Sequence, residues 1–244
     1  MQSGNSAAPL MYIHICKPFL GSLLAGIALI ILIPLLLTVS VLLVLSTGKS
    51  PFFLQTRVGY RGSLFKIIKF KTMNDRKDEN GQLLPDEQRL FPLGRFLRSS
   101  SLDELPQLIN VLKGEMSLVG PRPEMLENVE KYTREVPEFR YRQRMKAGLT
   151  GLAQIEGKYN TSPKDKAILD LLYIENFTLS YDFKLLLRTF TIFFRRDSTE
   201  GFGEKRCDCP LMRTEARSGR EETEIPASSE QGRSDQNSFL RKAL

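Results

Sequence analysis

From Pro18 to Gly48 the chain carries no charged residue, and most positions are leucine, isoleucine, valine or alanine. A helix needs roughly 20 apolar residues to cross the hydrocarbon core of a bilayer, and this run exceeds that length. It is too long for the apolar region of a secretory signal, and no small-residue cleavage site follows it cleanly. A retained membrane segment is therefore expected. Pro34 sits near its middle, where it removes a backbone hydrogen bond and crowds the preceding turn. Lys17 precedes the run, and Lys49, Arg57, Arg61, Lys66, Lys69 and Lys71 follow it. Lysine and arginine mark cytoplasmic flanks, so both ends favour one side. Two topologies stay open on the residues alone: a kinked spanning helix, and a helix broken at Pro34 that enters and leaves by the same face.

The 244 residues suit one domain with an anchor and a tail. A net charge of +7 points to acidic partners: nucleic acid, an anionic membrane surface or phosphorylated small molecules. Nucleic acid is the weakest of these, because the basic stretches flank membrane-like segments and do not interleave with aromatics along a groove. The three cysteines, Cys16, Cys207 and Cys209, form no disulfide framework and read as reduced thiols. His14 is the only histidine and no H-E-x-x-H occurs, so a zinc hydrolase or a Ser-His-Asp triad has nothing to build on. Walker A and G-x-G-x-x-G sequences are also absent. Chemistry is left to carboxylates, hydroxyls and basic groups.

Beyond the apolar run, Phe52 to Thr56 and Leu64 to Phe70 read as strands joined through Gly59-Tyr60-Arg61-Gly62. Residues 74–90 read as a surface loop. Leu102, Leu105, Leu108, Ile109 and Leu112 mark one face of a helix. Ser162-Pro163 reads as an N-cap with proline at the first helical position, opening a helix to about Phe177. Tyr181 to Arg196 is a basic amphipathic helix suited either to a membrane surface or to the core. Residues 204–244 are too polar to bury a core and are expected to be a disordered tail. The fold expected is mixed α/β, mainly helical, with a small β-hairpin and amphipathic interfacial helices.

The most informative stretch is Arg98-Ser-Ser-Ser-Leu-Asp103-Glu104-Leu-Pro-Gln. Ser101 and Glu104 match a capping box, and acids favour helix N-termini. Pro106, about one turn in, disfavours helical geometry at Leu105 and complicates that reading. The other reading is a carboxylate nucleophile beside a metal-binding carboxylate, with Arg98 countering phosphate charge. In Gly120-Pro121-Arg122-Pro123 the prolines fix φ on both sides of one arginine, which stiffens its presentation for bidentate phosphate binding. A rigid loop with a solvated arginine is the plainer alternative. Lys69 and Lys71, with Arg142, Arg144 and Lys146, add positive charge around the same region.

The order of motifs is distinctive: Gln55-Thr-Arg57-Val-Gly59, Phe65-Lys-Ile-Ile-Lys69-Phe-Lys-Thr-Met73, Leu93-Gly-Arg95-Phe-Leu-Arg98, the run from Ser101 to Pro123, and Gly148-Leu-Thr-Gly-Leu-Ala-Gln154. Over roughly residues 17–196 the chain resembles the monotopic phosphoglycosyl transferases, bacterial sugar transferases that begin surface-glycan assembly, in their small catalytic-core form. The resemblance implies a re-entrant membrane helix at residues 17–48 after a short N-terminal segment (1–16), and a catalytic domain (49–203) on the cytoplasmic face of the bacterial inner membrane. It implies Mg²⁺, a UDP-sugar donor, a polyprenol phosphate acceptor and a covalent phosphosugar intermediate. Asp103 is then the nucleophile and Glu104 its acidic partner, both at the metal. Lys69, Arg98 and Arg122 hold phosphate, with Arg142 the weaker candidate. Membrane lipid is an expected partner and nucleic acid is not. The sugar, the pathway and the oligomeric state stay open, a homodimer included.

Three positions depart from the family's pattern. Ile33 stands where serine often precedes the membrane proline, Ala147 replaces proline before Gly148, and Gln143 replaces a common histidine. None touches Asp103 or Glu104. The rival from another class is a membrane-tethered scaffold for glycan assembly, which would need neither carboxylate.

Overall fold

The computed structural model describes residues 12–157 and 161–193, which belong to one compact unit. The expected tail, together with Cys207 and Cys209, lies outside the described residues. A π-helical turn, Tyr12–Cys16, leads into a long helix, α1 (Lys17–Thr47). It is long and apolar enough to cross a membrane. Its buried residues, Lys17, Gly21, Ala25, Val39 and Leu43, repeat at helical spacing and form one stripe. Small residues in the first half let Phe65, Ile67, Leu108, Val111 and Met116 pack close, while Val39 and Leu43 meet Phe70 and Leu97. On the opposite side Phe19, Leu23, Ile30, Ile31, Leu37 and Leu45 are exposed. Leaving such side chains in water forgoes about 1.5–3 kcal/mol each, so this surface is suited to lipid.

Helical geometry persists through Pro34. The break expected there is a proline inside one continuous helix, because a proline deletes one N–H and leaves neighbouring bonds able to form. The hydroxyls of Thr38, Ser40, Ser46 and Thr47 donate to carbonyls one turn back at 2.7–2.8 Å, so none needs water. Gly48 ends the helix at φ 63°, a conformation cheap only for glycine, and its N–H reaches the Val44 carbonyl.

The hairpin forms as the sequence predicts. Strands β1 (Phe52–Val58) and β2 (Leu64–Phe70) are antiparallel, with Phe52 opposite Phe70 and Val58 opposite Leu64. Alternation buries Phe65 and Ile67 under α1. Asn110, itself buried, extends the β2 edge: its side-chain oxygen accepts from the Ile68 N–H and its nitrogen donates to the Lys66 carbonyl. Two short helices follow, α2 (Asp86–Arg89) and α3 (Pro92–Ser99).

The helix expected across 102–112 is two pieces. Leu102–Gln107 is 3₁₀, and α4 (Leu108–Leu112) follows. Pro106 lacks the N–H that an α-helical turn would use, and the tighter turn accommodates it. A short parallel pair, β3 (Ser117–Val119) with β4 (Gly148–Thr150), was not legible from the sequence. It depends on glycines: a Cβ on Gly148 would meet the Gly120 nitrogen at 2.1 Å. Helices α5 (Leu126–Glu135) and α6 (Leu152–Glu156) precede α7 (Pro163–Asn176), which begins as expected, with the Ser162 hydroxyl accepting from the Asp165 N–H at 3.1 Å. The amphipathic helix α8 (Leu179–Phe193) divides between both expectations. It buries Asp182 and Leu185 in the core and exposes Phe183, Leu187 and Phe190.

Candidate active site

The fold brings β2, the 3₁₀ turn and the Pro-Arg-Pro segment together at Glu104. Ser101 stands at the head of the turn in left-handed geometry (φ 50°, ψ 18°), and its side chain caps nothing. The capping-box reading is thereby set aside. Glu104 instead reaches Lys69 and Arg122: its Oε1 accepts from Lys69 Nζ at 2.7 Å and from Arg122 Nη2 at 2.5 Å, and its Oε2 accepts from Arg122 Nη1 at 3.3 Å. The arrangement is a bidentate fork with a lysine added to one tine.

The adjacent carboxyl lives under opposite conditions. Asp103 is 8% exposed. Burial, and next the negative charge of Glu104, push its pKa up to about 6, against the attraction of Lys69, Arg98 and Arg122. For Glu104 burial also favours the neutral form, but Arg122 and Lys69 outweigh it and hold the group far below the usual carboxylate range. Arg122 is driven further up by Glu104. Burial lowers Lys69, with Glu104 opposing. Two neighbouring acids are thus separated in acidity by their surroundings.

Arg98 lies at the rim of this cluster. Its Nε donates to Thr72 Oγ1 at 3.0 Å and one terminal nitrogen contacts the Met73 sulfur, while its charge still bears on Asp103. Arg122 keeps 42% of its side chain exposed. Arg142, expected beside it, is placed differently. It is buried, paired with Asp170 at 2.7 Å and stacked over Phe139, and its Nη2 donates to the Arg122 carbonyl. Its charge is therefore matched inside the domain. Arg57, Glu124 and Asp170, none of them among the expected site residues, also contact this region. Arg57 lies within the Gln55–Gly59 motif, and Glu124 follows Pro123 directly, so adjacency is the available signal.

Among the described residues no group of three or more metal-ligating side chains is assembled. Mg²⁺, however, commonly uses one or two carboxylates, completing its shell with water and substrate phosphates. Asp103 and Glu104 fit that donor set.

A carboxylate pair ringed by cations beside an apolar helix is a layout suited to phosphate chemistry near a membrane. The pattern of the bacterial sugar transferase family matches residues 12–196, and the chain belongs to that family. It is accordingly a sugar-phosphate transferase. Over 145 residues it is 46% identical to an uncharacterized sugar transferase, EpsL, of Bacillus subtilis (strain 168), covering 59% of this chain and 70% of that one. Over 188 residues it is 36% identical to the UDP-glucose:undecaprenyl-phosphate glucose-1-phosphate transferase of Caulobacter vibrioides, covering 74% and 70% of the two chains. It is 38% identical over 192 residues to the exopolysaccharide production protein ExoY of Sinorhizobium fredii, covering 72% and 84%.

Proposed function

We propose that this enzyme moves a sugar 1-phosphate from a UDP-sugar to undecaprenyl phosphate, releasing UMP, in the first membrane step of a surface polysaccharide. The observation that carries the reading is the unequal carboxylate pair: Asp103 buried and left basic, Glu104 held as an anion by Lys69 and Arg122.

An oxygen of Asp103 attacks the sugar-bearing phosphorus. The bond from that phosphorus to the oxygen bridging to UMP breaks, and UMP departs with the electron pair. The enzyme then carries a phosphosugar on Asp103. An oxygen of undecaprenyl phosphate attacks the same phosphorus, the aspartyl oxygen leaves, and the carboxylate is restored. The product is an undecaprenyl diphosphosugar. Dividing one displacement into two lets the soluble donor and the lipid acceptor use one site in turn, giving ping-pong kinetics. Glu104, held by three hydrogen bonds from Lys69 and Arg122, orients the two cations that face the phosphoryl oxygens and keeps room on Oε2. Lys69, Arg98 and Arg122 offset charge there, the main task in phosphoryl transfer. Asp103 and Glu104 would hold Mg²⁺, which adds further neutralisation of the diphosphate.

The reading places the enzyme on the cytoplasmic face of the inner membrane with both ends of α1 held on that face. It is supported by the packing of both ends of α1 on one domain: Lys17 against Asp182 at 2.9 Å, and Leu43 against the cluster of Phe70 and Leu97. Purified enzyme should release UMP from one of a panel of UDP-sugars only when undecaprenyl phosphate is present, beyond a first stoichiometric burst. Mass spectrometry of enzyme given donor alone should find the phosphosugar on the peptide containing Asp103. A modification on any other residue would overturn the assignment.

A further inference from the structure

The Pro-Arg-Pro segment has an unusual backbone problem. Pro121 and Pro123 have no N–H, so the segment can be tethered almost only through its carbonyls. Four successive carbonyls are each taken by a different donor. The Gly148 N–H reaches Pro121 at 2.9 Å, Arg142 Nη2 reaches Arg122 at 2.8 Å, Arg57 Nη1 reaches Pro123 at 3.3 Å, and the Val58 N–H reaches Glu124 at 3.0 Å. The two outer donors are backbone. The two inner ones, which flank the exposed guanidinium, are arginines.

Both of these arginines are held from behind. Arg142 pairs with Asp170 and keeps only 6% of its side chain exposed. Arg57 is 16% exposed, lies 4.0 Å from Glu124, and donates to Gln55 Oε1 at 2.6 Å. A buried cation matched by its own acid has little charge left for a ligand. Its remaining donors can still fix a carbonyl. Proline fixes φ at residues 121 and 123, and Pro123 holds ψ of Arg122 extended, but φ of Arg122 and ψ of both prolines can still turn the peptide planes. Pinning the Arg122 and Pro123 carbonyls removes that freedom.

We infer that Arg57 and Arg142 are positioning residues, a pair of buried braces that aim Arg122 at the donor phosphates without touching substrate themselves. The inference rests on the phosphate-binding role proposed for Arg122. It assigns the three arginines two different jobs: one meets the ligand, and two hold its backbone. Lysine cannot replace a brace, since one ammonium cannot span an acid and a carbonyl in the planar geometry of the fork.

The test is a double-mutant cycle read as UMP release, with amide hydrogen exchange alongside. Arg57→Lys and Arg142→Lys should each lower kcat/KM for the UDP-sugar about tenfold or more when Arg122 is present. In an Arg122→Ala background each should change the residual rate by less than about twofold, because there is no longer a guanidinium to aim. Full additivity in that background would show that the braces bind phosphate directly, and would overturn the inference. Exchange at the Gly148 and Val58 amides, which donate to the Pro121 and Glu124 carbonyls, should quicken in both lysine variants while α7 and α8 keep their protection. Unchanged exchange at those two amides would also overturn it. Should the parent release no UMP from any UDP-sugar, the functional proposal falls, and the exchange result still judges the braces.

Discussion

Two of the acid–lysine clusters among the described residues contrast sharply: the one at Glu104 is the proposed site, and the one at Asp182 is not. Around Glu104, Lys69 and Arg122 approach a carboxylate that is still 22% exposed, with Asp103 adjacent and Arg98 at the rim. Around Asp182, Lys17 sits at 2.9 Å and Tyr12 and Tyr173 donate at 2.7 and 2.6 Å, with both charged side chains below 10% exposure. The Asp182 cluster is balanced and closed: one acid, one base, and hydroxyls using the remaining lone pairs. The Glu104 cluster has cationic capacity left over and an opening through which to use it. A buried ion pair is therefore a structural joint when its hydrogen bonding is complete, and a binding centre when charge is left for a ligand.

That contrast is broken most directly at Asp103. Asp103→Asn should reduce UMP release by at least about a thousandfold, as loss of a nucleophile does. The same variant should melt higher than the parent at pH 7.5. In the folded chain Asp103 ionises near 6 against an ordinary 3.8, so its charge costs stability above pH 6 and the gap should close between pH 6 and pH 4. Loss of turnover together with loss of stability would blur the distinction between the clusters.

Asp182→Asn should do the reverse. It strands Lys17 without a counter-charge and should cost about 3–5 kcal/mol of stability, measured by thermal shift in detergent, with turnover per folded molecule within about twofold. A selective loss of kcat would make Asp182 part of the chemistry.

Arg122→Lys should lower kcat/KM about a hundredfold, because a point ammonium cannot reproduce the fork on Glu104 and the phosphates. Near-normal activity would mean that only charge is needed there. The pH profile is the gentler probe. With Asp103 raised to about 6, kcat/KM should rise about tenfold per unit below that pH and level off above it. An acid limb centred near 4 would show that burial does not set the nucleophile's acidity.

The smallest effect is expected at Pro34. Since α1 is continuous there and clamped at Lys17, Pro34→Leu should leave Cys16 on the face of the catalytic domain. An impermeant thiol reagent applied to intact cells and to opened vesicles reads this out. Labelling of Cys16 from the outer side would break the single-face topology.

Much of this was legible from residue patterns. The hairpin followed from alternation between glycines, and α7 from Ser162-Pro163. Family resemblance pointed to Asp103 and Glu104, but spacing alone could not separate a helix cap from a pair of acids in unequal surroundings. That decision needed Lys69 and Arg122, 35 and 18 residues from Glu104 in sequence. The parallel pairing of β3 with β4 was hidden because three-residue strands carry no period, and their closeness is set by glycines 28 residues apart. The surroundings of Arg142 were hidden for a related reason: a sequence shows a cation but not the acid, Asp170, that pairs with it.

The single packed stripe of α1 has a consequence for handling the protein. The helix is a wall shared by two solvents, and the catalytic domain's own core rests on it. Trimming the chain to begin after Gly48 would uncover Phe65, Ile67, Phe70, Leu97, Leu108 and Val111 in one stroke, yielding an aggregating fragment and not a soluble enzyme. A water-soluble form has to keep Gly21, Ala25, Val39 and Leu43 and repaint only the outer side, at positions such as Leu23, Ile30, Ile31, Leu37 and Leu45.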